Sequence, residues 1–187
     1  MKEAIEAALK VLKEGGVILY PTDTVWGLGC DATNAAAVTR IMNIKKRDES
    51  KSLVCLVSND GMLQRFVRQV PDMAWQLIDI SDKPLTIVYP GAIGLAANAI
   101  ADDGSMAIRV VKHEFCQQLI HRLNRPLIST SANISGEHTP ASLAEISEAV
   151  RSAVDYTVPK EFQGSASGQA SSILKLELSG EIKIIRK

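Results

Sequence analysis

The chain has 187 residues, 46% hydrophobic, 22% charged and 4% aromatic, enough for an aliphatic core without crosslinks or metals. Lysine and arginine number 21, as do aspartate and glutamate, so no global field draws in nucleic acid and an anion site must be a local cluster. Cys30, Cys55 and Cys116 stand at no zinc or disulfide spacing, and the charged start MKEAIEAALKVLKEGG fits neither a signal peptide nor a membrane span, which sets the expected location as cytoplasmic, with no membrane.

In chain order, residues 3–14 set Ile5, Ala8, Leu9 and Leu12 on one helical face, and Gly15-Gly16 stops that helix. Residues 17–20 read as an apolar strand halted by Pro21, and PTDTVWGLGCDATN after it as a stretch of turn formers and hydroxyls. Asn34 is placed to cap a helix over 35–46 that ends in Lys45, Lys46 and Arg47, where cations suit the helix dipole. Strands at 53–57, 85–89 and 106–111 alternate with helices around 60–67, 71–79 and 113–123. Pro126 precedes a strand over 127–130, and Ser142 with Glu145 forms a capping box for a helix over 143–151. Further strands are expected at 155–158, 172–176 and 182–185, with a Gly/Ser-rich mobile stretch over 164–172. The interleaving predicts one α/β domain over 1–187, its twisted sheet mixed because several neighbouring strands have short links.

Few patterns carry chemistry alone. Gly27-Leu28-Gly29-Cys30-Asp31-Ala32 fits GxGxxA, but PTDTVW separates it from the first strand, which argues against a dinucleotide turn, and no GxxxxGK[ST] loop is present. Lys45, Lys46, Arg47 and Lys51 supply the full charges that polyphosphate needs, or else form a solvated helix end. In STSANISG, strand alternation would point Ser129, Ser131 and Asn133 one way, toward a ligand, unless they bond their own turn. Thr22, Asp23 and Thr24 offer two hydroxyls and a carboxylate at a strand end, or a capped turn. Arg109 among apolar neighbours needs a partner, either a ligand carboxylate or a protein acid. Arg186 reads as a surface charge on pattern alone, and Asp102-Asp103 as an exposed turn or a metal contact. No Ser-His-Asp order, nucleophile elbow or carboxylate pair stands out.

Taken together, GGVILYPTDTVWGLGCDA, IKKR, AIRV, LISTSANISG, SSILKLE and the closing IIRK resemble the YrdC/TsaC family in order and spacing, from about residue 5 onward. The resemblance implies the short form of that fold, with a concave positive cleft and flanking helices. It also implies a nucleotidyltransferase reaction. L-threonine and bicarbonate give a carbamate, which attacks the α-phosphate of ATP, held with Mg2+, to form L-threonylcarbamoyladenylate and pyrophosphate. A tRNA-modifying transferase complex would then pass the threonylcarbamoyl group to a tRNA adenosine.

By the same resemblance, Lys45 and Arg47 are the catalytic cations facing the ATP phosphates, and Ser131, Asn133, Thr139 and Arg186 contact the nucleotide. Thr22, Thr24, Arg109 and Ser129 would hold the threonine. Lys45→Ala or Arg47→Ala is expected to cut turnover and leave the fold intact. The chain departs from the family at Asp23, usually glutamate, at Asp48 and Ser52, commonly proline, and at Leu56, a histidine in some relatives. Residues 164–172 would act as a lid. The alternative from another class is a non-catalytic protein that binds tRNA or double-stranded RNA, against which the zero net charge and few aromatics argue. A carbamoyl-adenylate module like that of hydrogenase maturation is a third reading, but those sit in larger chains.

Overall fold

A computed structural model describes residues 1–46 and 53–187. Helix α1 (Lys2–Lys13) turns Ala4, Ile5, Ala8, Leu9 and Leu12 inward. Gly15, at φ +79°, ends it: the Gly15 N–H donates to the Leu12 carbonyl and the Gly16 N–H to that of Val11. This is the paired closure that a left-handed glycine permits. Strand β1 (Ile18–Tyr20) follows, wholly buried.

Strand β2 (Gly27–Asp31) is a correction to the sequence reading, which placed only turn there. It pairs antiparallel with β1, so Gly-Leu-Gly lies in mid-sheet and not at a strand-to-helix turn. The glycines answer to packing. A Cβ on Gly29 would stand 2.5 Å from the Tyr20 ring, and one on Gly27 would meet the Ser129 hydroxyl at 3.2 Å. The motif is room for an aromatic ring, not a phosphate cradle.

Helix α2 (Ala35–Lys45) begins where the Asn34 side chain accepts the Ala37 N–H at 3.1 Å, as the sequence predicts. Strand β3 (Val54–Val57), helices α3 (Asp60–Phe66) and α4 (Asp72–Ile80), strands β4 (Leu85–Tyr89) and β5 (Met106–Val110), and helix α5 (Glu114–Leu123) come next. Strand β6 (Leu127–Ser131) carries the serines. The helix expected over 143–151 is not formed as one piece. A 3₁₀ turn at Leu143–Glu145 is followed by a separate short helix, α6 (Glu148–Arg151). The capping box expected there does not form: Ser142 caps no backbone N–H, and Glu145 instead accepts from the Ser142 hydroxyl and the Ala141 N–H, each at 3.0 Å. Strands β7 (Tyr156–Thr157), β8 (Ser172–Leu176) and β9 (Ile182–Arg186) complete the chain.

Among the described residues the strands form one mixed sheet in the order β7-β1-β2-β6-β3-β5-β4-β8-β9. The pairs β1–β7, β3–β5 and β4–β8 are parallel and the rest antiparallel. Helix α1 packs on α5 and on β1 and β2, α2 on β2, and α3 on β3 and β5. All three cysteines are buried as free thiols, and burial raises each pKa. Among the described residues no helix is long and apolar enough to cross a membrane.

Candidate active site

One cavity of about 390 Å³ collects side chains from almost the whole length of the chain. Its wall runs from Gly27 on β2 to Arg186 on β9, strands six steps apart in the sheet. At the usual strand spacing a flat sheet would hold them about 30 Å apart, so the sheet must coil around the cavity.

Nine of the ten residues singled out from the sequence line this cavity. Thr22 and Thr24 enter from the turn after β1, Lys45 from the end of α2, and Arg109 from β5. Ser129 and Ser131 come from β6, Asn133 and Thr139 from the loop beyond it, and Arg186 from β9. The tenth, Arg47, lies outside the described residues, as do Asp48, Lys51 and Ser52. Leu56 is buried in β3 and does not line the cavity. Asp103 closes an exposed turn, accepting from the Ser105 N–H and hydroxyl.

The hydrogen bonds show what each group can still offer. Thr22 is saturated. Its hydroxyl donates to the Val25 carbonyl at 2.8 Å, so the 2.8 Å contact with Thr24 Oγ1 must be a donation from Thr24, and the Thr24 N–H fills the remaining lone pair at 3.1 Å. Thr24 Oγ1 in turn accepts from Arg109 Nη2 at 3.3 Å. Thr22 therefore organises the turn, and Thr24 is the hydroxyl of the pair with capacity left. Asn133 spends both amide hydrogens on the carbonyls of Ile134, at 3.1 Å, and Glu137, at 2.8 Å. Its Oδ1 is buried with no partner among the described residues. An orphan acceptor suits an incoming hydroxyl or amino group and repels a phosphate oxygen.

Lys45 is only 3% exposed. Its Nζ donates to the carbonyls of Ser131 and Asn133, each at 2.6 Å, and its own carbonyl accepts the Ser135 N–H. The last turn of α2 is thereby tied to the end of β6. Arg186 is exposed, as the pattern alone suggests, but its guanidinium is tied down. Its Nε and Nη2 grip the Ser171 carbonyl at 2.9 and 2.8 Å, and burial, then the positive charge of Arg109, lowers its pKa.

The partner of Arg109 is a protein acid. Asp23 Oδ1 lies 3.0 Å from Arg109 Nη2, the side chains being 6% and 5% exposed. Tyr20 is fully buried beside Ser129, its hydroxyl without an aligned partner among the described residues, and burial raises its pKa.

Ser171, Thr130 and Ser135 also line the cavity and escaped the sequence reading. Ser171 shares a 2.7 Å hydrogen bond with Thr86 of β4, a contact between residues far apart in sequence that no local pattern announces. The 164–172 stretch, expected to be mobile, is fastened: the Ser167 and Gly168 N–H groups donate to the carbonyls of Asp23 and Thr24 at 3.0 and 2.9 Å. Gln163 adds two ties, accepting from Trp26 Nε1 and contacting His113 Nε2, both at 3.0 Å.

Hydroxyls, an amide and three cationic side chains line one polar cleft. The chain belongs to the Sua5/YciO/YrdC family, whose model, described as telomere recombination, matches residues 10–187. The threonylcarbamoyl-AMP synthase of Pseudoalteromonas translucida is 33% identical over 184 residues, 97% of each chain. The crystal structure of P. abyssi Sua5 complexed with L-threonine superposes with a TM-score of 0.84 at 28% identity, over 92% of this chain and 50% of that one. The chain thus spans about half the length of that protein. E. coli YciO superposes equally well, TM-score 0.84, over 100% of this chain and 90% of its own, and at 21% identity that likeness is one of fold.

Proposed function

We propose that this chain is a threonylcarbamoyl-AMP synthase, a nucleotidyltransferase that forms L-threonylcarbamoyladenylate and pyrophosphate from L-threonine, bicarbonate and ATP. The observation that carries the reading is the convergence of Thr24, Lys45, Arg109, Ser131, Asn133 and Arg186 on one cavity. The relatives named above supply the reaction.

The amine of threonine displaces water from bicarbonate to give a carbamate, whose oxygen attacks the α-phosphorus while pyrophosphate leaves. Such a transfer needs an aligned nucleophile and cations over developing charge more than a covalent intermediate. In this reading Arg109 takes the amino-acid carboxylate, with Thr24 and Ser129 beside it. Lys45 and Arg186, joined by Arg47, face the phosphates. Asn133 Oδ1 accepts from a ribose hydroxyl or the adenine amine, with Ser131 and Thr139 lining the same subsite. Mg2+ is read as part of the ATP substrate. No carboxylate lines the cavity among the described residues, so the ion's oxygens would come from phosphates and water. The product would go to a tRNA-modifying transferase complex in the cytoplasm.

The test is pyrophosphate release by purified protein. Release is expected only when ATP, L-threonine and bicarbonate are all present. Release that does not depend on threonine, or none at all, would sink the reading.

A further inference from the structure

Behind the cavity wall lies an acid that does not touch the cavity. Asp23 is absent from the lining, yet its carboxylate is held at two points: Oδ2 accepts the Lys112 N–H at 3.0 Å, and Oδ1 lies 3.0 Å from Arg109 Nη2. Arg109 does line the cavity, and the same Nη2 donates to Thr24 Oγ1.

The pairing is incomplete. An arginine and a carboxylate can share two parallel hydrogen bonds. Here one oxygen meets one nitrogen, Arg109 Nε has no partner among the described residues, and Asp23 Oδ1 has no aligned hydrogen bond. Both side chains are nonetheless almost fully buried. Asp23 thus supplies the counter-charge that keeps the guanidinium in place, while leaving donors of the fork unspent. A ligand with a carboxylate is the chemistry those donors suit.

We propose that Asp23 is a positioning residue for amino-acid recognition: anchored by the Lys112 N–H, it presents Arg109 to the carboxylate of the substrate. The inference rests on the synthase reading above. It assigns Asp23 an effect on one substrate only, because its charge acts through Arg109. The Asp23 carbonyl, which fastens Ser167, is backbone and survives any substitution of the side chain.

The experiment compares the affinities of L-threonine, L-threoninamide and ATP by calorimetry, for wild type, D23N, D23E, R109Q and the double variant D23N/R109Q. Threoninamide keeps the threonine shape and lacks the carboxylate charge. Wild type is expected to prefer threonine by at least about tenfold, the worth of one hydrogen bond to a charged group. D23N should lose most of that preference with ATP affinity unchanged, and D23E should restore it. With Arg109 gone, losing Asp23 should add nothing, so R109Q and the double variant should discriminate equally. That comparison carries the test if D23N does not fold. The assignment is overturned if D23N weakens all three ligands alike, as a purely structural role would, or keeps the preference. It is equally overturned if the double variant discriminates less than R109Q. Wild-type protein that binds neither threonine nor threoninamide overturns the synthase reading and takes this assignment with it.

Discussion

Lys45 is recruited twice, by the proposed chemistry and by the fold. Of the two carbonyls that Lys45 holds at 2.6 Å, that of Ser131 also accepts the Asn133 N–H, so Lys45→Ala strands the Asn133 carbonyl as well as removing a charge. Stranded buried acceptors cost about 1–3 kcal/mol, so the variant should lose stability along with turnover. Urea unfolding beside the pyrophosphate assay checks this, and an unchanged midpoint would mean the ties contribute nothing. Gly29→Ala is expected to cost about 1–3 kcal/mol by overpacking, since its Cβ would press on the Tyr20 ring. Thermal melts of that variant read the cost directly. At this scale the resemblance picked out nine residues that line the cavity but not what each has left to give. The identity of Thr24 as the open hydroxyl, and of Asp23 as the partner of Arg109, depends on hydrogen bonds that sequence spacing does not encode.

Elements with a strong local signal were legible. Helix α2 starts at the Asn34 cap foreseen from its residue type, and Asn34→Ala should cost about 1 kcal/mol in a denaturant titration. Strands β4, β5 and β8 lie within a residue of expectation, because each is a largely apolar run that follows a Pro or Ser. Strand β2 was hidden, since two glycines and an aspartate in five residues argue against a strand. Pairing on both sides, with β1 and β6, overrides that propensity. The helix over 143–151 failed in the opposite way. Ser142 and Glu145 have the residue types of a capping box, but the Ser142 hydroxyl bonds the Glu145 carboxylate and not a backbone N–H, so no side-chain cap starts a helix there.

The whole molecule is closed by contacts between distant segments, and two measurements probe them. Asp103, in the loop before β5, pairs with Lys175 of β8 at 3.1 Å. The Ser105 hydroxyl and N–H, then Lys175, hold its carboxyl down to about 2, from an ordinary value of 3.8. A lowered pKa stabilises the fold above the ordinary value and stops doing so as pH falls through the lowered one. Asp103→Asn should therefore cost stability at neutral pH, at most about 1 kcal/mol because the side chain is half exposed. The gap from wild type should close as pH drops from about 4 toward 2; a gap of constant size would show that the charge is not responsible. The 164–172 stretch crosses beside the cavity, pinned to the carbonyls of Asp23 and Thr24. Limited proteolysis there should slow when ATP and threonine are added, and equal cleavage with and without them would argue against a lid.

By itself the sequence determined the α/β class and most element positions, because apolar periodicity and caps are local properties, and its resemblance to a known family picked out nine of the residues that line the cavity. Only the tertiary structure decided that Gly-Leu-Gly makes room for a ring, that Lys45 is fastened to β6, and that Asp23 stands behind Arg109. The cavity itself depends on the coil of the sheet, which brings β2, β5, β6 and β9 around one space. Contacts made across a folded sheet are set by geometry in three dimensions and leave no mark in residue spacing.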